Sequence, residues 1–138
     1  MALKRFLLIL LLVGAAVAFL AWPRLNDVQT GRTPEYPDLQ DRAYTATEQR
    51  VGEAVKTTLG RLPGWTLVGA GRGPGGMSVQ AVHATLPGFK DDVTIRIRRE
   101  AGKTRVSVRS RSRVGKLDFG QNARNIREFL GALDHDLS

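Results

Sequence analysis

The sequence predicts an α+β fold: a two-layer domain with a four-stranded antiparallel sheet and two helices on one face, preceded by one N-terminal transmembrane helix. Three observations lead there. Residues 6–22 form a run of seventeen without a charged or strongly polar side chain. Two later segments, 45–62 and 119–133, repeat apolar residues at helical spacing. Between them lie four β-rich runs whose links are too short for parallel crossovers, which need a dozen residues or more.

The N-terminal run spans roughly 26 Å as a helix, close to the ~30 Å hydrocarbon core of a bilayer. Trp22 is placed for the membrane interface, and Pro23 closes the helix. A cleavable signal peptide is the alternative, with Ala16-Val17-Ala18 as its small-residue site and secretion as the outcome. Cleavage near Ala18 leaves a new terminus that is itself apolar, Phe19-Leu20-Ala21-Trp22, so the uncleaved anchor is the preferred reading. Lys4 and Arg5 precede the run, whereas Arg24 and Arg32 are diluted by Asp27 and Glu35. That asymmetry puts the N-terminus in the cytoplasm and the domain outside it, in the periplasm.

Residues 23–41 contain Pro23, Pro34, Pro37 and Gly31 without any period, and read as an extended tether between anchor and domain. The domain, 42–138, opens with Thr45-Ala46-Thr47-Glu48, a capping box with Thr45 as cap. Val51, Ala54, Val55, Thr58, Leu59 and Leu62 then trace one helical stripe, and Pro63-Gly64 ends it. Strands are expected at 65–70, 77–86, 92–99 and 104–114, with turns at 71–76, 87–88 and 101–102. The second helix, 119–133, carries Phe119, Ala123, Ile126, Leu130 and Leu133 on one side, with Asp118 and Gln121 as its capping pair. Two helical stripes need a surface to bury against, and one face of a four-stranded meander supplies it.

Side chains alternate across a strand, so Val93, Ile95 and Ile97 oppose Thr94, Arg96 and Arg98. Likewise Val106, Val108, Ser110, Ser112 and Val114 oppose Arg105, Ser107, Arg109, Arg111 and Arg113. If the aliphatics meet the helices, six arginines project from the other face. Residues 90–127 carry a net charge of +8, equal to that of the whole chain. A row of like charges is mildly destabilising and invites an anion. The bland account is a watered sheet face covered by long arginine stems and neutralised by Asp91, Asp92 or Glu100.

Most chemical motifs dissolve. The chain has no cysteine, which removes disulfides, thiolate metal sites and thiol nucleophiles. Gly71-Arg72-Gly73-Pro74-Gly75-Gly76 fits a dinucleotide-loop pattern, but a strand follows where a helix must hold the pyrophosphate. Asp118-Phe119-Gly120 lacks the other parts of a kinase site. His83 and His135 are far apart and without a ligand cluster, so neither a metal nor a cofactor is expected; His83 reads as a satisfied core or edge residue. Asp91 and Asp92 point to opposite sides of an extended chain, and pairing with arginines is their commoner use.

FKDDVTIRIR (89–98) and RVSVRSRSRVGKLDFGQNARNIREFL (105–130), with weaker likeness in NDVQT (26–30) and PEYP (34–37), resemble the bacterial and plastid family catalogued as domain of unknown function 1499. The resemblance covers nearly everything after the apolar run. It implies no activity, cofactor or catalytic residue, because the family has none agreed.

Two readings of function follow. In the first, leaning away from catalysis, a membrane-anchored domain binds an acidic lipid or envelope polyanion through Arg96, Arg98, Arg109, Arg111 and Arg113. Nucleic acid is disfavoured because no aromatic residues interleave with these arginines. In the second, a small enzyme or ligand-binding domain has its pocket where the 89–92 loop meets the end of the fourth strand and the start of the second helix, with Asp91, Asp92, Arg111, Arg113, Asp118 and Asn122 near it. An assembly subunit is a third option, and the oligomeric state is left open.

Overall fold

A computed structural model of the chain describes residues 1–85 and 88–138. Leu86, assigned above to the second strand, and Pro87, assigned to the turn after it, lie outside the described residues. In chain order the elements are α1 (Ala2–Ala21), β1 (Asp27–Gln29), β2 (Arg42–Tyr44), α2 (Glu48–Arg61), β3 (Trp65–Gly73), β4 (Gly76–Thr85), β5 (Phe89–Glu100), β6 (Lys103–Ser112) and α3 (Gln121–Asp136). The helix α1 is long and apolar enough to cross a membrane, and it ends where Trp22 turns extended ahead of Pro23.

The α+β class and the antiparallel meander β3-β4-β5-β6 are as expected, but the sheet has six strands rather than four. Both additional strands pair antiparallel with the outer edge of β6. Val28 lies opposite Ser110, and Ala43 opposite Arg105. Each is three residues long, too short to display a period of two. Residues 23–41, expected as a tether, are therefore partly built into the sheet: Val28 is fully buried, and Leu39 joins the core. Thr30 locks the segment, because its backbone N–H donates to the Val108 carbonyl at 3.0 Å and its hydroxyl accepts the Val108 N–H at 3.0 Å. That hydroxyl donates in turn to Asp41 at 2.6 Å.

The inner face of the sheet follows the alternation. Val79, Ala81, Val93, Ile95, Ile97, Val106 and Val108 are buried under the two helices. From α2 come Val51, Ala54, Val55, Thr58 and Leu59; from α3 come Ala123, Ile126, Phe129, Leu130 and Leu133. Thr47, not Thr45, caps α2, its hydroxyl accepting the N–H of Arg50 at 3.2 Å. Phe119 lies outside α3 rather than on its stripe. It has a positive φ of 51°, Gly120 follows at 76°, and two left-handed residues in succession cannot belong to a right-handed helix. Its ring is accordingly exposed.

The glycine-rich stretch is a hairpin in which Gly73 pairs with Gly76 across Pro74-Gly75. At Gly76, with φ of 105°, a Cβ would come 2.3 Å from the Ile97 carbonyl oxygen, which explains the glycine without a nucleotide. The far end of α3 is tied down by Asp134, which accepts from the Tyr44 hydroxyl at 2.6 Å and from Arg42 at 3.0 Å. Burial, then that bond to a carboxylate, pushes the Tyr44 phenol well above its ordinary range, so the hydroxyl stays a donor in alkaline solution.

Candidate functional site

The inner face of β6 changes character toward its C-terminal end, where Ser110 and Ser112 take the inward positions held by Val106 and Val108. On β5 the same row ends in Asp91, and on β4 in His83, its partner in the ladder. The first turns of α3 lay Asn122 and Asn125 over this polar end, both almost completely buried.

The groups form one network. Asn125 Nδ2 donates to Asp91 Oδ2 at 2.8 Å and approaches Ser110 Oγ at 3.1 Å. Ser110 Oγ donates to Asn122 Oδ1 at 2.7 Å. The amide nitrogen of Asn122 lies 2.7 Å from both Ser112 Oγ and Asp118 Oδ2. The N-cap of α3 is Gly120, not Asp118 of the expected pair with Gln121, although Asp118 accepts the N–H of Gly120 at 2.8 Å and that of Asn122 at 3.1 Å from two residues before the cap. Gln121 donates to Asn125 Oδ1 at 2.7 Å.

A cavity of about 370 Å³ opens beside this network. Asp91, Ser112 and Gln121 give it polar surface, Phe89, Val114, Leu117 and Phe119 give it apolar walls, and Arg124 stands at its rim; Lys90 also lines it, but its side chain has the outer parity of Asp92 on β5. Asp91 is 3% exposed; among the described residues its one side-chain partner is Asn125, and its Oδ1 has none. Neither Lys90 nor Arg124 is in an ion pair among the described residues. Arg124 is held in place by the Phe119 carbonyl at 2.9 Å and Gln121 Oε1 at 3.0 Å.

The rim is stitched to the foot of α1. The N–H of Asp118 donates to the Leu25 carbonyl at 3.0 Å, and that of Ser112 to the Asn26 carbonyl at 2.8 Å. Asn26 donates from its side chain to the Gly115 carbonyl at 2.7 Å. The Phe19 and Phe119 rings lie 5.7 Å apart, and the Trp22 ring covers Gly120. Phe89, Val114 and Phe119, all large and about half exposed or more, surround the mouth at this same end.

On the outer face, carboxylates neutralise most of the arginine row. Arg109 pairs with Asp27, Arg113 with Asp92, Arg98 with Glu100, and Arg105 with Glu100 and Asp41. The Arg109 guanidinium, hydrogen-bonded to Asp27, holds that carboxyl below its ordinary range against the opposing effect of partial burial. Of the six arginines, Arg96 and Arg111 lack such a partner among the described residues. Arg96 lines a polar hollow of about 260 Å³ together with Gln29, Arg32, Thr94, Ser107 and Arg109.

The model of a family described as "Protein of unknown function (DUF1499)" matches residues 21–133. The chain belongs to that family. Among curated proteins none matches it. A solved structure, TTHA0849 from Thermus thermophilus, is similar over 80% of this chain and 96% of its own, at 14% identity and a TM-score of 0.39. So distant a likeness carries no argument.

In the DUF1499 domain the residues singled out from the sequence divide between two faces. Asp91 and Asp118 line the cavity, and Asn122 lies buried directly behind it. Asp92 and Arg113 pair with each other on the opposite face, and Arg111 stands beside Asp27 there, so these three do not contribute to the pocket. His83 is buried against Trp65 with ring centres 4.8 Å apart, but its Nδ1 has no partner among the described residues, contrary to a satisfied histidine. Sequence reasoning missed Ser110, Arg124 and Asn125 as parts of the site. The available signals were two serines on the inward parity of β6 and an asparagine three residues after Asn122 beside the apolar stripe. Among the described residues no group of three His, Cys, Asp or Glu is placed to hold a metal ion.

Proposed function

We propose that the chain is a membrane-tethered binding domain, held by α1, whose ligand site is the cavity between Phe89, Asp91, Ser112 and Phe119. The observation that carries this reading is the coincidence of the cavity mouth, its exposed apolar rim and the foot of the apolar helix. Leu25, whose carbonyl is bonded to the cavity rim, follows Trp22 by only three positions. Such a link reaches at most about 11 Å. With Trp22 at the interface, Phe89, Val114 and Phe119 lie at head-group depth, and Arg24, Lys90, Lys116 and Arg124 face the phosphates, the usual division for a surface resting on lipid.

The absence of cysteine makes the placement simple to measure. In vesicles, an environment-sensitive dye on Val114→Cys should be quenched by lipids carrying a nitroxide near the head group. The same dye on Lys103→Cys, at the other end of β5 and β6 and roughly 35 Å away along the strands, should stay in water. Equal exposure of both sites to a water-soluble quencher would remove the basis of the reading.

An anion-binding outer face is the second reading, favoured by one observation: the hollow around Arg96 and Arg32, where neither arginine has a carboxylate partner among the described residues. Its expected signature is salt-sensitive binding of a soluble polyanion that Arg32→Gln combined with Arg96→Gln weakens about a hundredfold or more, since charge-assisted contacts contribute about 1.5–3 kcal/mol each. Unchanged binding in that double variant would dispose of it.

A further inference from the structure

The order of charges along the cavity carries the argument further, resting on the pocket reading above. Deepest is Asp91, a nearly buried carboxylate with one oxygen held by Asn125 and the other without a partner among the described residues. At the mouth stands one cation with no carboxylate of its own among the described residues, Arg124. Around the same mouth lie the exposed aromatic and aliphatic side chains Phe89, Val114 and Phe119, with Phe119 against Phe19 of α1. A complementary ligand therefore carries a cation at its tip and an anion at the mouth, with hydrocarbon beside the anion against the apolar rim.

We infer that the cavity takes the head group of a zwitterionic aminophospholipid from the bilayer in which α1 sits, ammonium first. The ammonium donates to Asp91 Oδ1 and Ser112 Oγ, the phosphodiester lies against Arg124, and the glycerol and first methylenes rest on Phe89, Val114 and Phe119. Each part of this assignment has a chemical reason. A buried carboxylate is costly to leave half-satisfied, and a primary ammonium brings three N–H donors and a compensating charge. A choline head has no N–H to give, and a purely anionic head brings its charge toward Asp91. The phosphate suits the mouth because Arg124 is already oriented by the Phe119 carbonyl and Gln121, so little side-chain freedom is lost on binding.

The test uses the full chain in vesicles of equal parts phosphatidylethanolamine, phosphatidylcholine and phosphatidylglycerol with identical acyl chains. The chain is then extracted in mild detergent and the retained lipid counted by mass spectrometry. Retained phosphatidylethanolamine should exceed each of the others at least about tenfold, the factor expected from one charge-assisted hydrogen bond. Asp91→Asn should abolish the preference. Arg124→Gln, which alters only an exposed side chain, should lower retention of all three lipids. Asp92→Asn, on the other face, should change nothing.

Equal retention of the three lipids, or a preference that survives Asp91→Asn in a chain with unchanged melting, would overturn the head-group assignment and leave the pocket at the membrane intact. Free glycerophosphoethanolamine competing as well as the intact lipid would overturn the bilayer as its source. Retention of no lipid would overturn the inference, and the dye measurement at residue 114 shows separately whether the membrane-facing pocket falls with it.

Discussion

A soluble fragment that begins at Thr33 is expected to unfold or aggregate where one that begins at Arg24 folds. The obvious place to cut is within the proline-rich stretch, but that cut removes β1. Val28 is fully buried, and losing it forfeits about 1.5–3 kcal/mol. The carbonyls of Leu25 and Asn26 and both polar groups of Thr30 satisfy N–H and C=O groups of β6 and of the loop before α3. Each such bond is worth about 0.5–1.5 kcal/mol net, and more where a buried donor is left without an acceptor. Together these exceed about 4 kcal/mol, against a total of about 5–15 kcal/mol for a domain of ordinary stability. Cutting there also bares the edge of β6, a template for pairing with another chain.

Thermal melts of the two fragments followed by circular dichroism decide the matter, and equal midpoints would show that residues 24–32 lie outside the cooperative unit. The Asp27–Arg109 pair adds a pH signature to the longer fragment. Its hydrogen bond holds the Asp27 carboxyl below the ordinary value of 3.8. The contribution is therefore present above that value and fades as pH falls through the lower pKa of the folded state.

What the sequence disclosed tracks how many residues share each signal. The parity of β5 and β6 is repeated over ten or more residues, so a burial pattern with Val93, Ile95, Ile97, Val106 and Val108 inside was legible. The α2 and α3 stripes were legible for the same reason, except Phe119, where a local left-handed turn overrides the spacing. β1 and β2, three residues each, were not, because their strand character comes wholly from the unpaired edge of β6. The split of Asp91 from Asp92 followed from alternation alone. That Asp92 meets Arg113 while Asp91 meets Asn125 depends on ladder register and on the rotation of α3, and local sequence carries neither. The place of the pocket was legible as the joint of three segments of this chain, 89–92, 110–114 and 118–122. Its cation was not, because Arg124 looks like any solvated charge until the cavity lies beside it.

Asn125→Leu alone should cost about 3 kcal/mol, and adding Asp91→Val should restore most of it. The single change leaves a carboxylate that is 3% exposed without its one side-chain donor among the described residues, and a stranded buried charge is among the most destabilising of point defects. The double change removes both partners at once. It extends the row Val93, Ile95 and Ile97 by one more aliphatic against a helix that already buries Ile126 and Phe129, and such replacements are often neutral or stabilising. Urea melts of the wild type, the two single variants and the double variant form the cycle that measures the coupling. Recovery in the double variant would mean that the sheet and helix do not need the polar end of the core for folding, and that Asp91 and Asn125 serve the cavity beside them. A double variant as unstable as Asn125→Leu would place the network with the fold instead, holding α3 in register over β6 through Ser110 and Asn122, and the pocket would then be a by-product of that packing.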